Sequence, residues 1–214
     1  MFRSSRRFFK FYYYMSSLLP IYLFIVIFMI AIKFNIKMIS NVKHFLGILE
    51  MITPYKIVLY IFLALVIISL RCLFITRKII TDTKHYSKTF GITKIFLKDE
   101  YNPGFREFIL SVILPMMSTF SIEDNPIPTL LMISIFQLLI YVFFVNSSDF
   151  FPNIPLVLLG YSVFIVDSKT EISRLKFVFG KNKNIDNIVN GDRQFKAVEI
   201  GEPDSSNTIG VIFE

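Results

Sequence analysis

Four long apolar stretches alternate with polar segments and predict four membrane-spanning helices. The stretches cover residues 17–36, 56–76, 105–122 and 126–145, and the last of them contains no charged residue. An α-helix rises about 1.5 Å per residue, so roughly 20 residues cross a bilayer core of about 30 Å. The pattern therefore predicts an α-helical membrane protein with a four-helix transmembrane domain over residues 17–146.

A second pattern begins after the fourth stretch and predicts a small β-rich domain over residues 147–214. Short runs rich in β-branched and aromatic residues end near Gly, Asn or Asp, at 160–166, 174–179, 194–200 and 208–213. Such runs predict a small antiparallel sheet. Four short strands form a marginal core, so we expect the sheet to rest on the membrane helices, on a second copy or on a partner protein.

Two basic segments, residues 1–16 and 76–105, adjoin the apolar stretches. The first combines basic with aromatic side chains, which is typical of a membrane interface, the alternative being an arm that binds nucleic acid. Its position beside a predicted span favours the membrane, so we predict no direct contact with nucleic acid. Parts of the second segment, including 90–97, are expected to lie on the inner leaflet as short amphipathic pieces. The predicted surface-anchoring residues are Arg3, Arg6, Arg7, Lys10, Arg77 and Lys78.

The basic residues are distributed unevenly between the two sides of the predicted membrane domain. With the N-terminus inside, all but four of the 23 Lys and Arg residues fall on the inner side. The positive-inside rule therefore predicts that both termini are cytoplasmic. The first apolar stretch is long and is followed by Lys33 rather than by small residues, so we interpret it as a retained anchor helix and not a cleaved signal.

The composition agrees with a membrane location. Hydrophobic residues make up 54% and charged residues 18% of the 214 residues, whereas soluble domains are typically about 25% charged. This balance excludes a disordered chain, and the single cysteine, Cys72, excludes a disulfide scaffold. The net charge of +7 is typical of cytoplasmic anchoring against anionic lipid.

Small and polar residues inside the predicted helices indicate a helix-packing or oligomer interface. Ser111, Pro115 and Ser118 recur on one face of the third helix, and Pro115 is expected to bend it. Gln137, in the fourth helix, needs a hydrogen-bond partner within the hydrocarbon region, and Ser118 or Thr119 is a candidate. The alternative is that Ser111, Ser118 and Gln137 line a cavity.

The acidic residues before the fourth helix have a local structural explanation. Asn125 is suited to cap that helix, Pro126 suits its first position, and Glu123 and Asp124 lie at the positive end of its dipole. The sequence contains no phosphate-binding loop and no nucleophile elbow. It therefore predicts neither an enzyme nor a site for a cofactor or metal.

The turn Asp124-Asn125-Pro126 and the run Asn153-Ile-Pro155-Leu-Val-Leu-Leu159-Gly160-Tyr161, within this four-span layout, resemble KwaA, the membrane subunit of the Kiwa anti-phage defence system. The resemblance covers the whole layout. It implies a bacterial inner-membrane protein that forms a homo-oligomer, expected to be a tetramer. It also implies that this chain senses infection at the membrane and binds a cytoplasmic DNA-binding partner, KwaB. No catalytic residues carry over.

Three functions remain open from the sequence. The first is a membrane sensor and scaffold that recruits a cytoplasmic effector. The second is a small oligomeric channel or transporter, with Lys33, Arg71 and Gln137 lining its path. The third is a membrane enzyme, which needs a cluster of acid, base or metal ligands that the sequence does not display. For the first function, the residues predicted to dock the partner are Asn153, Gly160, Tyr161, Arg174 and Lys176.

Overall fold

The computed structural model describes residues 6–40, 54–85, 93–100, 124–146, 153–167, 175–181, 195–200 and 209–213. These residues form five helices and six strands. The third predicted helix, 105–122, lies outside them, together with its predicted interface residues Ser111, Pro115 and Ser118. Arg3 and Arg174 also lie outside the described residues.

The first two helices, α1 (Arg6–Ser17) and α2 (Leu19–Ser40), follow each other with only Leu18 between them. Pro20 explains the break, because its ring carries no N–H that could donate to the carbonyl of Ser16. The next amide N–H groups donate to the carbonyl of Leu18 instead. The basic-aromatic segment is therefore a helix that continues into α2 after one interruption.

Two further long helices, α3 (Pro54–His85) and α4 (Pro126–Asn146), each begin at a proline. Proline suits the first position of a helix because its missing N–H would have no intrahelical partner there. With 32 and 21 residues, the helices are about 48 Å and about 31 Å long. α4 coincides with the predicted helix 126–145, and α3 contains the predicted helix 56–76 and extends it.

Two helical stretches are long and apolar enough to cross a membrane, judged by length and composition. They are Phe8–Ala31 and Pro54–Thr83, and Pro126–Val142 is a shorter apolar stretch. The described residues thus contain two such helices where the sequence predicts four spans in the whole chain. The first stretch begins at Phe8 rather than at residue 17, because the aromatic side chains of α1 continue the apolar surface of α2.

α3 runs antiparallel to α2 and also packs against α1. The Tyr22 ring contacts Phe62, and the Tyr55 hydroxyl donates to the carbonyl of Met29. Seven buried residues of α3 recur every three or four positions, which places them on one helical face, and Cys72 is buried beside them. The seven are Val58, Phe62, Val66, Ser69, Leu73, Thr76 and Ile80.

The remaining faces of the long helices are apolar and exposed. Ile27 on α2 and Phe74 on α3 are among the exposed residues. On α4 the exposed apolar residues are Ile127, Leu131, Met132, Ile135, Leu138, Leu139 and Val142. A soluble monomer rarely exposes so continuous an apolar surface, whereas helices in contact with lipid do so along their length.

A curled sheet follows the helices. The short helix α5 (Ile154–Leu158) leads into the sheet, whose strands run in the order β1-β5-β6-β4-β3-β2. All neighbouring strands are antiparallel except β4 and β6, which are parallel. The strands are β1 (Thr93–Ile95), β2 (Leu97–Glu100), β3 (Tyr161–Val166), β4 (Phe177–Lys181), β5 (Phe195–Glu199) and β6 (Ile209–Phe213).

The two edges of the curled sheet are joined by a single residue. β1 and β2 lie at opposite ends of the strand order, yet only Phe96 separates them along the chain. The sheet must therefore curl until its ends meet, and the amide N–H of Asp167 donates to the carbonyl of Phe96 over 2.8 Å. β1 and β2 act as one bent strand, so five chain segments enclose the interior.

The two middle strands of the curled sheet, β4 and β6, are buried on both faces. Phe164, Val178 and Ile212 belong to the cluster inside the curl. Phe179 and Val211, which alternate with them, belong to the core that the sheet shares with the helices. One hydrophobic core thus extends from the helical bundle to the outer face of the sheet.

The structure corrects three expectations about this region. The sheet is not wholly antiparallel, because β4 and β6 pair in parallel. Residues 93–97, expected on the inner leaflet, form β1 and begin β2, and Ile95 is fully buried in the sheet. Gly180 lies within β4 rather than ending it.

Candidate functional site

The candidate site is the junction between the helical bundle and the curled sheet, defined by Phe9, Lys10, Tyr13, Asn153 and Phe179. The ring of Phe179, on β4, lies 5.8 Å from that of Phe9 and 5.9 Å from that of Tyr13. Both partners are on α1, so this helix is clamped between the sheet and the rest of the bundle. Aromatic pairs at such distances stabilise a contact beyond the area that they bury. The junction therefore couples α1 to the sheet.

Lys10 links α1 to the end of α4. Its side chain is 8% exposed, and its Nζ donates to the carbonyl oxygen of Val145 over 2.9 Å and to that of Phe144 over 3.4 Å. The same Nζ lies 5.5 Å from the centre of the Phe144 ring. The last carbonyls of a helix lack intrahelical donors and carry the negative end of the dipole, so a buried ammonium group satisfies them.

Asn153 links α1 to α5. Its Nδ2 donates to the carbonyl of Tyr13 over 3.1 Å and to the hydroxyl of Ser16 over 2.7 Å. Its Oδ1 accepts from the amide N–H of Leu156 over 3.0 Å, which caps the first turn of α5. One buried side chain thus starts the helix that leads into the sheet and ties this helix to the end of α1.

Gln137 links α4 to both α1 and α2. The Tyr22 hydroxyl donates to Gln137 Oε1 over 2.9 Å, and the Tyr14 hydroxyl donates to the backbone carbonyl of Gln137 over 2.7 Å. The Nε2 of Gln137 is buried and has no hydrogen-bond partner among the described residues. Gln137 therefore lies at a contact between helices, where its Oε1 accepts a hydrogen bond from Tyr22. The predicted partners, Ser118 and Thr119, lie outside the described residues.

The predicted docking residues fall into different environments. Asn153 is 4% exposed, and its hydrogen bonds give it an internal structural role in place of the predicted exposed docking role. Gly160 has φ of 83°, a conformation that favours glycine, and forms the turn between α5 and β3. Tyr161 is half-buried at the start of β3, and Lys176 is exposed just before β4.

The predicted membrane-anchoring residues also lie in different parts of the structure. Arg6 and Arg7 begin α1, while Arg77 and Lys78 are exposed on the last third of α3. Lys10 was predicted to anchor the chain at the membrane surface, and this prediction is wrong. Its ammonium group is buried against the end of α4 because the helix carbonyls there replace the water that it would otherwise need.

Two of the three residues predicted to line a conduction path have described side chains, and these two lie in different environments. Arg71 is exposed on α3, and Gln137 is held by the two tyrosines within the bundle. Lys33 is part of α2. No group of three His, Cys, Asp or Glu side chains comes together as a metal site within the described segments.

Sequence reasoning missed α1 as a packing helix. Phe9, Tyr13 and Tyr14 are buried there, whereas the basic and aromatic residue types had suggested an interfacial belt. The available signal was the spacing of Phe9, Tyr13, Leu18 and Tyr22, which keeps one face of α1 and α2 apolar. The partners of Lys10 lie 134 and 135 residues away in sequence, so no local pattern could have identified them.

Four exposed lysines of the curled sheet form what we call its basic surface. Lys94 and Lys196 are exposed on β1 and β5 and lie directly opposite each other in the strand register. Lys176 and Lys181 are exposed at the two ends of β4. Two like charges in cross-strand register repel each other, so the pair is favoured only when negative charge is near.

These features define a class of protein, an apolar helical bundle that carries a small, basic curled sheet at one end. Residues 9–204 match the family model of the anti-phage protein KwaA. The match covers most of the chain, which belongs to the KwaA anti-phage protein family. Comparison with curated proteins and with solved structures gave no match.

Proposed function

We propose that this protein is an integral membrane sensor and scaffold of a bacterial anti-phage defence complex. It holds its curled sheet on the cytoplasmic face of the inner membrane and recruits a cytoplasmic DNA-binding effector of the KwaB type. The family membership supports the defence role. The observation that carries the scaffold role is the junction, because it fixes the curled sheet rigidly to the helices.

The strand connections support an even number of membrane crossings between the two parts of the curled sheet. Strands β1 and β2 precede α4, and strands β3 to β6 follow it, yet all six belong to one sheet. Both parts must therefore lie on the same side of the membrane. If α4 crosses once, a second crossing between β2 and α4 is required, as the four-span prediction provides.

The contacts at the junction support the predicted orientation. The sheet packs against α1 through Phe9, and Tyr161 contacts Thr81 near the end of α3, with 3.4 Å between their hydroxyl oxygens. The start of α1 and the end of α3 are the basic ends of the first two apolar stretches. By the positive-inside rule this end faces the cytoplasm.

The basic surface of the curled sheet is the proposed docking surface. Its exposed lysines favour an acidic surface on the effector, because complementary charges speed association and fix the orientation of a complex. Gly160, Tyr161, Arg174 and Lys176 remain the proposed docking residues, to which the register pair Lys94 and Lys196 is added. The expected homo-oligomer, a tetramer in this proposal, presents several copies of this surface and so raises avidity.

The test uses the full chain, co-expressed with a cytoplasmic effector of the KwaB type. Lys176→Glu and Lys94→Glu are expected to lower co-purification of the effector and protection against phage, with no loss of membrane insertion. The matched control is Lys78→Glu, which reverses an exposed charge on α3, outside the sheet. Unchanged co-purification in both sheet variants would contradict the docking surface.

A tag at Glu214 tests the orientation. In intact spheroplasts, we expect the tag to resist an impermeant protease and to become accessible only after lysis. Cleavage from outside would place the curled sheet in the periplasm, where no cytoplasmic effector could bind it.

A further inference from the structure

The last two residues of α5 and the residue after it are three consecutive exposed apolar residues. Leu158 is 82% exposed, and its neighbours Val157 and Leu159 are each 40% exposed. The preceding residues, Pro155 and Leu156, are buried in the core. The buried residues hold α5 in the protein. We call the exposed segment Val157–Leu159 the apolar tip.

The apolar tip is held in place. Asn153 ties the start of α5 to α1, and the amide N–H groups of Leu159 and Gly160 donate to carbonyls of Pro155 and Val157. Gly160 then turns the chain into β3 with φ of 83°. Both ends of the helix are fixed, so the exposure of Leu158 is a property of the fold and not of a fraying end.

The residue types near the apolar tip are those found where a protein meets a membrane surface. Tyr161 follows the tip, and its hydroxyl oxygen lies 3.4 Å from that of Thr81. Thr81 in turn donates to the carbonyl of Arg77, one helical turn earlier on α3. Across the sheet, Tyr161 pairs with Lys181, which is exposed. Apolar, aromatic and basic side chains therefore follow one another around the tip.

We propose that the apolar tip inserts into the inner leaflet of the membrane and that its partner is phospholipid. Leu158 enters the acyl-chain region, and the basic groups of Arg77 and Lys181 face anionic headgroups. This inference rests on the proposed membrane-spanning bundle. Besides the spanning helices, the inserted tip would be a second contact with the membrane, and it would hold the curled sheet at the membrane surface.

The physical argument favours lipid over water or protein as the occupant. An isolated leucine at this exposure would cost free energy in water, and lipid removes that cost without a shaped partner. The exposed apolar residues of α3 include Phe74 and Ile75, which precede Arg77 by less than one helical turn. The basic side chains supply the attraction to an anionic surface.

The chain contains no Trp, so a single introduced Trp reports its own surroundings without background. The full-length Leu158→Trp variant is reconstituted into vesicles of phosphatidylethanolamine and phosphatidylglycerol. Its fluorescence is measured with lipids brominated near the headgroup end or near the methyl end of the acyl chain, and with aqueous iodide. We expect strong quenching by the first lipid, weaker quenching by the second and little quenching by iodide.

Two matched variants calibrate the measurement. Ile135→Trp, at a residue that is 60% exposed on α4, is expected to respond to bromine near the methyl end. Lys94→Trp, on the outer surface of the curled sheet, is expected to respond to iodide. If Ile135→Trp is quenched by iodide and by neither lipid, the membrane-spanning bundle itself is refuted.

The remaining outcomes concern the apolar tip alone, given a lipid response of Ile135→Trp. Quenching of Leu158→Trp by iodide would place the tip in water and overturn the inference. Protection from both lipid and iodide would place it under protein, as at a contact with a second copy, and would also overturn it. Quenching that weakens when phosphatidylglycerol is left out would support the role of the basic residues.

Discussion

The Nζ of Lys10 donates to the backbone carbonyl of Val145 over 2.9 Å, although 135 residues separate the two along the chain. The contact joins α1 to the end of α4. A buried cation on α1 thus completes the last turn of α4. The start of the protein and the end of its helical bundle form one structural unit with the sheet.

Replacing Lys10 tests this contact. Lys10→Met keeps most of the apolar stem but leaves the carbonyls of α4 without their charged donor, and we expect a loss of about 1–3 kcal/mol in the free energy of unfolding. Lys10→Arg, which retains a donor, should lose less. The measurement is denaturant unfolding of the detergent-solubilised protein. Lys78→Met, at an exposed position of α3, is the control, and an equal loss there would argue against a specific role for Lys10.

Asn153 permits a test that separates helix capping from the link to α1. Asn153→Asp keeps the oxygen that caps α5 but loses the Nδ2 that donates to Tyr13 and Ser16. If the link to α1 stabilises the junction, Asp should destabilise the protein at least as much as Ala, by about 1–3 kcal/mol. Limited proteolysis should then release the curled sheet from the helices. If the Asn153→Asp variant were as stable as the unmodified protein, only the role of Asn153 in capping α5 would be supported.

The pair of Tyr22 and Gln137 is suited to a double-mutant cycle. Tyr22→Phe removes the donor to Oε1, and Gln137→Leu removes both this acceptor and the buried, unpartnered Nε2. Hydrogen bonds between membrane helices average about 0.6 kcal/mol and reach about 1.7 kcal/mol, so we expect a coupling energy in this range. Size-exclusion chromatography with light scattering on Gln137→Leu distinguishes a contact within one chain, which leaves the oligomer unchanged, from one between chains.

Replacing either of two glycines of the sheet region by alanine should destabilise the protein, for a different physical reason in each case. At Gly180 an added Cβ would lie 2.8 Å from Cε2 of Phe164, so overpacking should cost about 1–3 kcal/mol. At Gly160 an added Cβ meets no atom within 4 Å, but φ of +83° strains any L-residue. Asn tolerates that conformation, so Gly160→Asn should be milder than Gly160→Ala in thermal unfolding, whereas Gly180→Asn should be no milder than Gly180→Ala.

The sequence predicted α4 well because its signals are local. A capping asparagine and a proline mark its start, and an uninterrupted apolar run continues to its end. The positions of β3, β5 and β6 were also predicted closely, since Gly and Asp residues bound the runs that form them. Composition and contiguity suffice where an element is determined by its own residues.

The arrangement of the sheet could not be predicted from the same patterns. Phe177, Val178 and Phe179 alternate between two buried clusters, so β4 lacks the polar-apolar alternation of a half-exposed strand. The parallel pairing of β4 with β6 depends on contacts between distant segments. The same holds for the junction, since the burial of Lys10 depends on α4 and the role of Asn153 depends on α1.

The bent strand formed by β1 and β2 has a consequence for biosynthesis. It leaves the ribosome before α4, but it cannot close the sheet until β6, at the far end of the chain, has been made and delivered to the same compartment. On the proposed membrane topology, a molecule whose last helix inserts the wrong way round would leave the two parts of the sheet separated by lipid. Its strands would then stay unpaired, so a closed sheet would require correct insertion of α4.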